Sequence, residues 1–185
     1  VQTCALPIFK FPNMLVVLTE GPSTGPSQGA VLDHFGFKVK NIAEMLTVVR
    51  GAGFTVQTAF IGAEGFPNVY FLIPGGLRVE MQEDPDLPVK AMPNHVHFYT
   101  SDFAKLLDWY TSTFSLTKRS RGTIDTTADA GTINLTFQTS ATPVVGTKGR
   151  AIDHIGFEVK DLAAFCKKLE AKGIKFDQPL REIPE

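Results

Sequence analysis

Cysteine, tryptophan and clustered basic residues are scarce in this chain of 185 residues. The two cysteines, Cys4 and Cys166, do not make a disulfide framework, so a reduced, cytoplasmic setting is the expectation. Lys and Arg (18) nearly balance Asp and Glu (19), and no basic run occurs. This charge balance argues against nucleic acid and against an anionic membrane surface as partners. No apolar stretch approaches the roughly 20 residues of a membrane span.

One segment of the chain occurs twice, 120 positions apart. Residues 28–54 align without a gap to residues 148–174, and nine positions are identical. In the first copy the identical residues are Gly29, Asp33, His34, Gly36, Phe37, Val39, Lys40, Ala43 and Gly53. A repeat of this kind predicts one structural unit present more than once.

The hydrophobic period of each copy predicts a strand followed by a helix. In residues 32–39 alternate positions are apolar, so His34 and Gly36 lie on the face opposite Phe35 and Phe37. Asn41 is a good helix N-cap, and apolar residues then recur at helical spacing. The second copy predicts the same pattern, with His154 on the corresponding face of a strand over residues 152–159.

A weaker third copy begins at His95, seven residues before the helix cap Asp102, as His34 is before Asn41. His97 and Tyr99 lie on the same strand face as His95. Further strands are predicted at residues 54–58, 69–73, 77–83, 117–123, 132–139 and 174–176. Each unit therefore has the order strand–helix–strand–strand–strand, and the predicted fold class is α+β.

The order of the units predicts a chain cut from a larger arrangement. Residues 1–12 are expected to be a non-native or disordered lead. Residues 13–83 would be the C-terminal part of a first domain, with the last strand of one unit and a complete unit at 29–83. Residues 84–93 would be a linker, and residues 94–185 a second domain that lacks its final strands.

These motifs resemble the vicinal oxygen chelate superfamily, which includes glyoxalase I, extradiol dioxygenases and bleomycin-resistance-type proteins. The resemblance rests on residues 33–39 (DHFGFKV), 74–80 (PGGLRVE) and 153–159 (DHIGFEV), and on Trp109-Tyr110. It implies paired βαβββ modules that form a cup-shaped sheet around a divalent metal ion such as iron, zinc, nickel or manganese. It also implies a small substrate with two adjacent oxygens.

The family's metal-ligand positions fall on His34, Glu80, His95 and His154. Where some members have a further carboxylate, this chain has Met14 and Asn134, so a site of two histidines and one carboxylate fits better. Such a site leaves open positions at which a substrate can chelate the metal.

Three ways of pairing the units remain open at the sequence level. Two sites would each need residues outside this chain: one with His34 and Glu80, the other with His95 and His154. In the third arrangement the two complete units pair and bring His34, Glu80 and His95 together. An unpaired unit would expose a strand edge, so a homodimer is also expected.

The expected function is that of a metal-dependent enzyme, either a lyase or isomerase of the glyoxalase type or an extradiol-type dioxygenase. A binding module of the bleomycin-resistance type is the alternative, and it predicts an aromatic-lined pocket without a tight metal. His97, Tyr99 and Arg150 are the candidate substrate contacts. Arg119 and Arg121 could also hold an anionic substrate, although surface solvation explains each arginine more simply.

Overall fold

The computed structural model describes residues 7–181 of the chain. It confirms a mixed α+β fold with a large sheet. The strands are β1 (Ile8–Lys10), β2 (Leu15–Val17), β3 (Leu32–Val39), β4 (Thr55–Ile61), β5 (Pro67–Ile73), β6 (Leu77–Glu83), β7 (Ala91–Tyr99), β8 (Thr117–Lys118), β9 (Thr127–Ala130) and β10 (Ile133–Gln138). The helices are α1 (Ile42–Gly51), α2 (Phe103–Phe114) and α3 (Leu162–Ala171).

The first βαβββ module consists of β3, α1, β4, β5 and β6. The Asn41 side chain accepts a hydrogen bond from the backbone N–H of Glu44 and so caps α1, as the sequence predicts. Gly53, with φ of 76°, follows the helix in the left-handed conformation that glycine adopts without strain. Strand β6 returns beside β3 in parallel, which places Glu80 opposite Gly36.

The second module consists of β7, α2, β8, β9 and β10. Asp102 caps α2 through the backbone N–H of Lys105. Strand β10 runs parallel to β7, which places Thr136 opposite His97. Both modules therefore lay their last strand beside their first.

The two modules join edge to edge through β3 and β7. These strands are antiparallel, with His34 opposite His97 and Gly36 opposite His95. The result is one sheet of eight strands in the order β4-β5-β6-β3-β7-β10-β9-β8. This is the arrangement in which the two complete units of the chain pair with each other.

Helix α1 packs on one face of the first module, and the apolar core lies between this helix and the strands. Val39, Val69, Val79 and Met81 are each less than 5% exposed, and α1 contributes Val49. With the apolar side chains on this face, the alternation of the strands places His34 and Glu80 on the opposite face. The core thus fixes which side of the sheet carries the polar residues.

Some predicted strands are absent from the described part of the chain. Residues 152–159 and 174–176 have no strand structure, although α3 forms between them and is capped by Asp161. A strand is stable only when its backbone groups pair with a neighbour, and residues 152–159 pair with none of the described strands. By contrast, β1 and β2 form a separate two-stranded hairpin.

Contacts divide the chain into two compact units, Val1–His154 and Ile155–Glu185. The first unit holds the eight-stranded sheet, and the second holds α3. Among the residues described, no helix is long and apolar enough to cross a membrane.

Candidate metal centre

Four potential metal-binding side chains meet where the two modules join. His34, Glu80, His95 and His97 each offer one ligand atom, and these atoms lie within 4.8 Å of one another. All four residues are at most 3% exposed. Opposite ligands on an ion with bonds of about 2.1 Å are roughly 4.2 Å apart, so the four side chains are close to the spacing that one ion requires.

The His34 ring is held between two carboxylates. Its Nδ1 lies 2.7 Å from Asp33 Oδ1, and its Nε2 lies 3.0 Å from Glu80 Oε2. Asp33 is fixed in turn by the backbone N–H of Gly29 (2.9 Å) and by Arg78 (2.8 Å). A carboxylate that accepts the second N–H of a histidine is the usual support of a metal-binding imidazole.

Glu80 is oriented by the side chains around it. Asn68 donates to Glu80 Oε1, and Glu80 Oε2 lies 3.4 Å from His95 Nε2 as well as close to His34. Burial favours the protonated carboxyl, but His95 and His34 favour the carboxylate more strongly and hold the pKa of Glu80 well below its usual range. Glu80 is therefore ionised at neutral pH.

Two of the three histidines are held neutral by their surroundings. Burial lowers the pKa of His95 to about 4, although Glu80 opposes this shift. Burial, together with the neighbouring His34 and His95, places the pKa of His97 well below its usual range. Neutral imidazole and ionised carboxylate are the protonation states in which these groups bind metals.

Gly36 makes room for the His95 ring. A Cβ atom at position 36 would lie 2.2 Å from His95 Cε1, so any residue other than glycine would force the ring or the strand to shift. The sequence places this glycine on the strand face of His34, and the structure shows that it accommodates the histidine of the other module. Where β3 and β7 pair, Gly36 thus leaves the space that the His95 side chain needs to reach His34 and Glu80.

His97 completes the cluster and faces a pocket. Its ring stacks on Tyr99 with centroids 4.5 Å apart. Neither of its ring nitrogens has a hydrogen-bond partner among the residues that the structure describes. Buried imidazole nitrogens without partners are rare in folded proteins, which is consistent with a role as ligand or substrate contact.

The arrangement of His34 and Glu80 fits a bound cation. Because Asp33 accepts the proton of Nδ1, a neutral His34 ring turns the lone pair of Nε2 towards the ionised Glu80, 3.0 Å away. Lone pairs at this distance repel each other, and a proton or a metal ion between the two atoms removes the repulsion. The donor set therefore fits a divalent ion.

No second carboxylate joins the cluster from the described residues of the second module. Asn134, the residue expected at the further carboxylate position, donates to Thr127 and Asp129. By strand register Thr136 stands opposite His97 as Glu80 stands opposite Gly36, and its hydroxyl donates to Asn134. The second module thus contributes histidines rather than a carboxylate.

A small pocket of about 110 Å³ opens on the cluster. Its lining combines aromatic, polar and charged residues. They are Phe60, Ala63, Asn68, Tyr70, Glu80, His97, Tyr99, Arg121, Ile124 and Gln138. Burial and the charge of Glu80 raise the pKa of Tyr70, so its hydroxyl stays protonated and can donate a hydrogen bond.

The structure places the predicted site residues in two groups. His34, Glu80, His95 and His97 form the cluster, and Tyr99 lines the pocket. His154 has a side chain that is 82% exposed and contacts Asp153 at 2.6 Å, and it is not part of the cluster. The Arg150 Nε donates to the backbone of Pro26, outside the pocket lining.

Several residues of the site are not identified by the sequence alone. In the sequence Asp33 stands out only as one of the nine repeated residues, and the structure shows that its carboxylate holds His34. A signal exists, because the Asp-His pair recurs at Asp153 and His154, and the same carboxylate–imidazole contact forms there. Asn68 and Tyr70 reach the site from β5 and give no such signal.

Comparison with known proteins supports the resemblance. Residues 93–184 match the family model described as Glyoxalase/Bleomycin resistance protein/Dioxygenase superfamily. No curated protein sequence matches the chain.

The solved structures that match the chain share little sequence identity with it. A candidate dioxygenase from Bacillus subtilis subsp. subtilis strain 168 is 15% identical with a TM-score of 0.56, over 88% of this chain and 59% of the other. Glyoxalase I from Zea mays is 13% identical with a TM-score of 0.48, over 62% of this chain and 45% of the other. The chain thus spans about half of each of these two proteins.

The family model covers the second half of the chain, and the Bacillus structure has a similar fold over 88% of the chain. The chain belongs to the glyoxalase/bleomycin resistance/dioxygenase superfamily, the vicinal oxygen chelate proteins.

Proposed function

We propose that this protein is a metal-dependent enzyme that acts on a small substrate with two adjacent oxygens. The observation that carries the proposal is the buried cluster of His34, Glu80, His95 and His97 at the wall of a pocket. His97 has no hydrogen-bond partner among the described residues, and His34 Nε2 lies 3.0 Å from the ionised Glu80; a divalent ion would satisfy these groups together.

In this proposal His34, Glu80 and His95 hold the ion. Glu80 and His97 line the pocket, whereas His34 and His95 are not among its lining residues. His97 is thus placed to contact both the ion and the substrate. The seven-residue spacing to the helix cap also favours His95 over His97 as the counterpart of His34.

A bound divalent ion would polarise a substrate oxygen as a Lewis acid or, if it is iron, offer an open position to dioxygen. The protein's own groups would orient the substrate. Tyr70 can donate a hydrogen bond to it, and Tyr99 and Phe60 form apolar walls. The glyoxalase type of lyase or isomerase and the extradiol type of dioxygenase are the two reaction classes that suit this arrangement.

A non-enzymatic binding module is the second candidate, because the pocket is partly aromatic. Phe60 stacks on Tyr70 with ring centroids 4.9 Å apart, and Tyr99 stacks on His97. Stacked aromatic walls suit a planar ligand. This candidate predicts ligand binding without a tightly bound ion.

The metal content of the purified chain decides between the two candidates. We expect close to one divalent ion per chain, lost in Glu80→Gln, because the amide keeps the shape of the side chain but lacks its charge. His154→Gln is the matched control and should keep the ion, since His154 is exposed and outside the cluster.

The identity of the ion then selects the assay. Iron directs the search to dioxygenase activity, and zinc, nickel or manganese directs it to lyase or isomerase activity. A chain that takes up none of these ions, even when each is added, refutes the enzyme proposal and leaves the binding module.

A further inference from the structure

Arg121 is a buried cation at the pocket. It lies between β8 and β9, where its backbone forms a bridge with Ile124. Its side chain is only 4% exposed and forms part of the pocket lining, together with Glu80 and His97. The sequence favours surface solvation for Arg121, and the structure shows instead that this residue is buried.

The loop that carries Arg121 is docked closely on the first module. The backbone N–H of Thr123 donates to the carbonyl of Ala63 at 3.1 Å. Gly122, with φ of 58°, lies so close to Ala63 that a Cβ atom would be 2.0 Å from the same carbonyl oxygen. Arg121 therefore reaches the pocket because two loops, one from each module, are in contact.

The guanidinium group is incompletely paired. Its Nη1 lies 3.7 Å from Glu64 Oε2, and this oxygen already accepts a hydrogen bond from Gln82 at 2.8 Å. Its Nε has no hydrogen-bond partner among the described residues. Buried arginines usually bond carboxylates through two parallel hydrogen bonds, so Arg121 retains capacity for another acceptor.

The charges around the pocket show which kind of acceptor is missing. Lys38 lies 3.1 Å from Asp84, and Arg78 lies 2.8 Å from Asp33. Once these pairs are set aside, Glu64 faces Arg121, and Glu80 faces the three histidines. A divalent ion on Glu80 and neutral imidazoles would leave an excess of positive charge in a site where charges are poorly screened.

We propose that Arg121 binds a carboxylate of the substrate. The substrate is then a small organic acid with two adjacent oxygens that chelate the metal and a separate carboxylate that binds Arg121. The proposal rests on the metal site of the proposed function. The adjacent oxygens occupy the metal side of the pocket, near Glu80 and His97, and the carboxylate lies on the Arg121 side. Tyr70 and Tyr99 belong to the same pocket lining.

The test compares two acids that chelate metals through the same end. Malate and 2-hydroxybutanoate share a 2-hydroxy acid group and chain length, but malate has a second carboxylate where the other has a methyl group. Their affinities are measured by calorimetry on Co²⁺-loaded protein, for the unmodified chain, Arg121→Gln and Arg119→Gln. Arg119 is the matched control because its exposed side chain pairs with Asp129 in the same region.

We expect the unmodified chain to bind malate at least about tenfold more tightly, the factor that a charge-assisted hydrogen bond supplies. Arg121→Gln should reduce this preference to about twofold or less, and Arg119→Gln should leave it unchanged. An equal affinity for both acids in the unmodified chain, or a preference that survives Arg121→Gln, overturns the assignment of Arg121.

Two controls keep the outcome unambiguous. Co²⁺ uptake by the unmodified chain is measured first. A chain that takes up no Co²⁺ refutes the proposed function and this inference together. A chain that takes up Co²⁺ normally but does not prefer malate refutes only the role assigned to Arg121. If Arg121→Gln does not fold, Arg121→Lys replaces it. Lysine keeps the charge but lacks the planar fork, so the preference should fall by several fold, and an unchanged preference contradicts the proposal.

Discussion

At the scale of single residues, Gly36 and His97 occupy corresponding positions in the two modules. His34 precedes the cap Asn41 by seven residues and His95 precedes the cap Asp102 by seven, so Gly36 corresponds to His97. In the first module Gly36 has no side chain and leaves space for the His95 ring. In the second module His97 itself supplies a ring. This difference makes the cluster asymmetric.

Gly36→Ala should displace His95. The added Cβ would lie 2.2 Å from the ring, so the ring or the strand must shift, at a cost of about 1–3 kcal/mol in the free energy of unfolding. Metal affinity should fall as well, because one ligand moves. Denaturant unfolding and metal titration of the variant measure the two effects.

Gly156→Ala is the matched control. Gly156 is the corresponding glycine of the second copy, and no described atom lies within 4 Å of the position that its Cβ would take. This substitution should leave stability and metal affinity nearly unchanged. Equal effects of the two substitutions would show that Gly36 does not make room for His95.

The buried histidines predict how stability depends on pH. Burial lowers the pKa of His95 to about 4, whereas an unfolded histidine has a pKa of about 6.5. Between these values the unfolded chain binds a proton that the folded protein does not. The free energy of unfolding of the metal-free protein should therefore be greatest above about pH 6.5 and fall towards pH 4.

The expected loss is on the order of 3 kcal/mol for His95 alone, and the lowered pKa of His97 acts in the same direction. Urea unfolding of the metal-free chain at pH 7, 5.5 and 4 measures this loss. His95→Gln should reduce the slope and the exposed His154→Gln should not. A free energy that is constant across this range contradicts the prediction.

At the scale of elements, a segment with the hydrophobic period of a strand forms a strand only where its backbone can pair with a neighbouring strand. The predicted strand at residues 77–83 matches β6, and the helix expected after the cap Asp102 forms as α2. The strand at residues 152–159 carries the same pattern as β3 but does not form. Hydrophobic period indicates which face of a strand can be buried, but pairing of the backbone depends on what lies beside it.

The loop contact between the modules gives a prediction at this scale. Gly122→Ala should destabilise the protein because its Cβ would collide with the Ala63 carbonyl and because φ is positive. We expect a loss of about 2–4 kcal/mol in the free energy of unfolding, the sum of backbone strain and overpacking.

Gly131→Ala separates the two causes. Gly131 also has a positive φ, of 64°, but no described atom lies within 4 Å of its Cβ position. It should cost only about 1 kcal/mol. Thermal unfolding of both variants measures the difference, and equal shifts in Tm would exclude a close contact between the loops.

At the scale of the whole molecule, the two complete modules pair within one chain. The seam between β3 and β7 contributes all three histidines of the cluster, and β6 adds Glu80. This pairing brings the four candidate ligands of residues 34–97 together, and His154 is not among them.

The proposed metal site therefore predicts that a chain ending at His154 binds metal as the full chain does. The cluster and the pocket lie in the first unit, Val1–His154. We expect the shortened chain to bind as many ions as the full chain, with unchanged affinity, as measured by metal titration. A loss of half of the bound metal would instead indicate a second site that involves the removed residues.

The sequence by itself determined the strand–helix–strand order that begins each of the two complete units, the α+β class and the polar strand face that carries His34, Glu80 and His95. These properties depend on local period, capping residues and a repeated motif, all of which can be read along the chain. The tertiary structure decided that the two modules pair with each other, that His97 joins the cluster, and that Arg121 is buried at the pocket. These outcomes depend on contacts between residues far apart in the chain, such as Gly36 with His95 and Gly122 with Ala63, which no local pattern encodes.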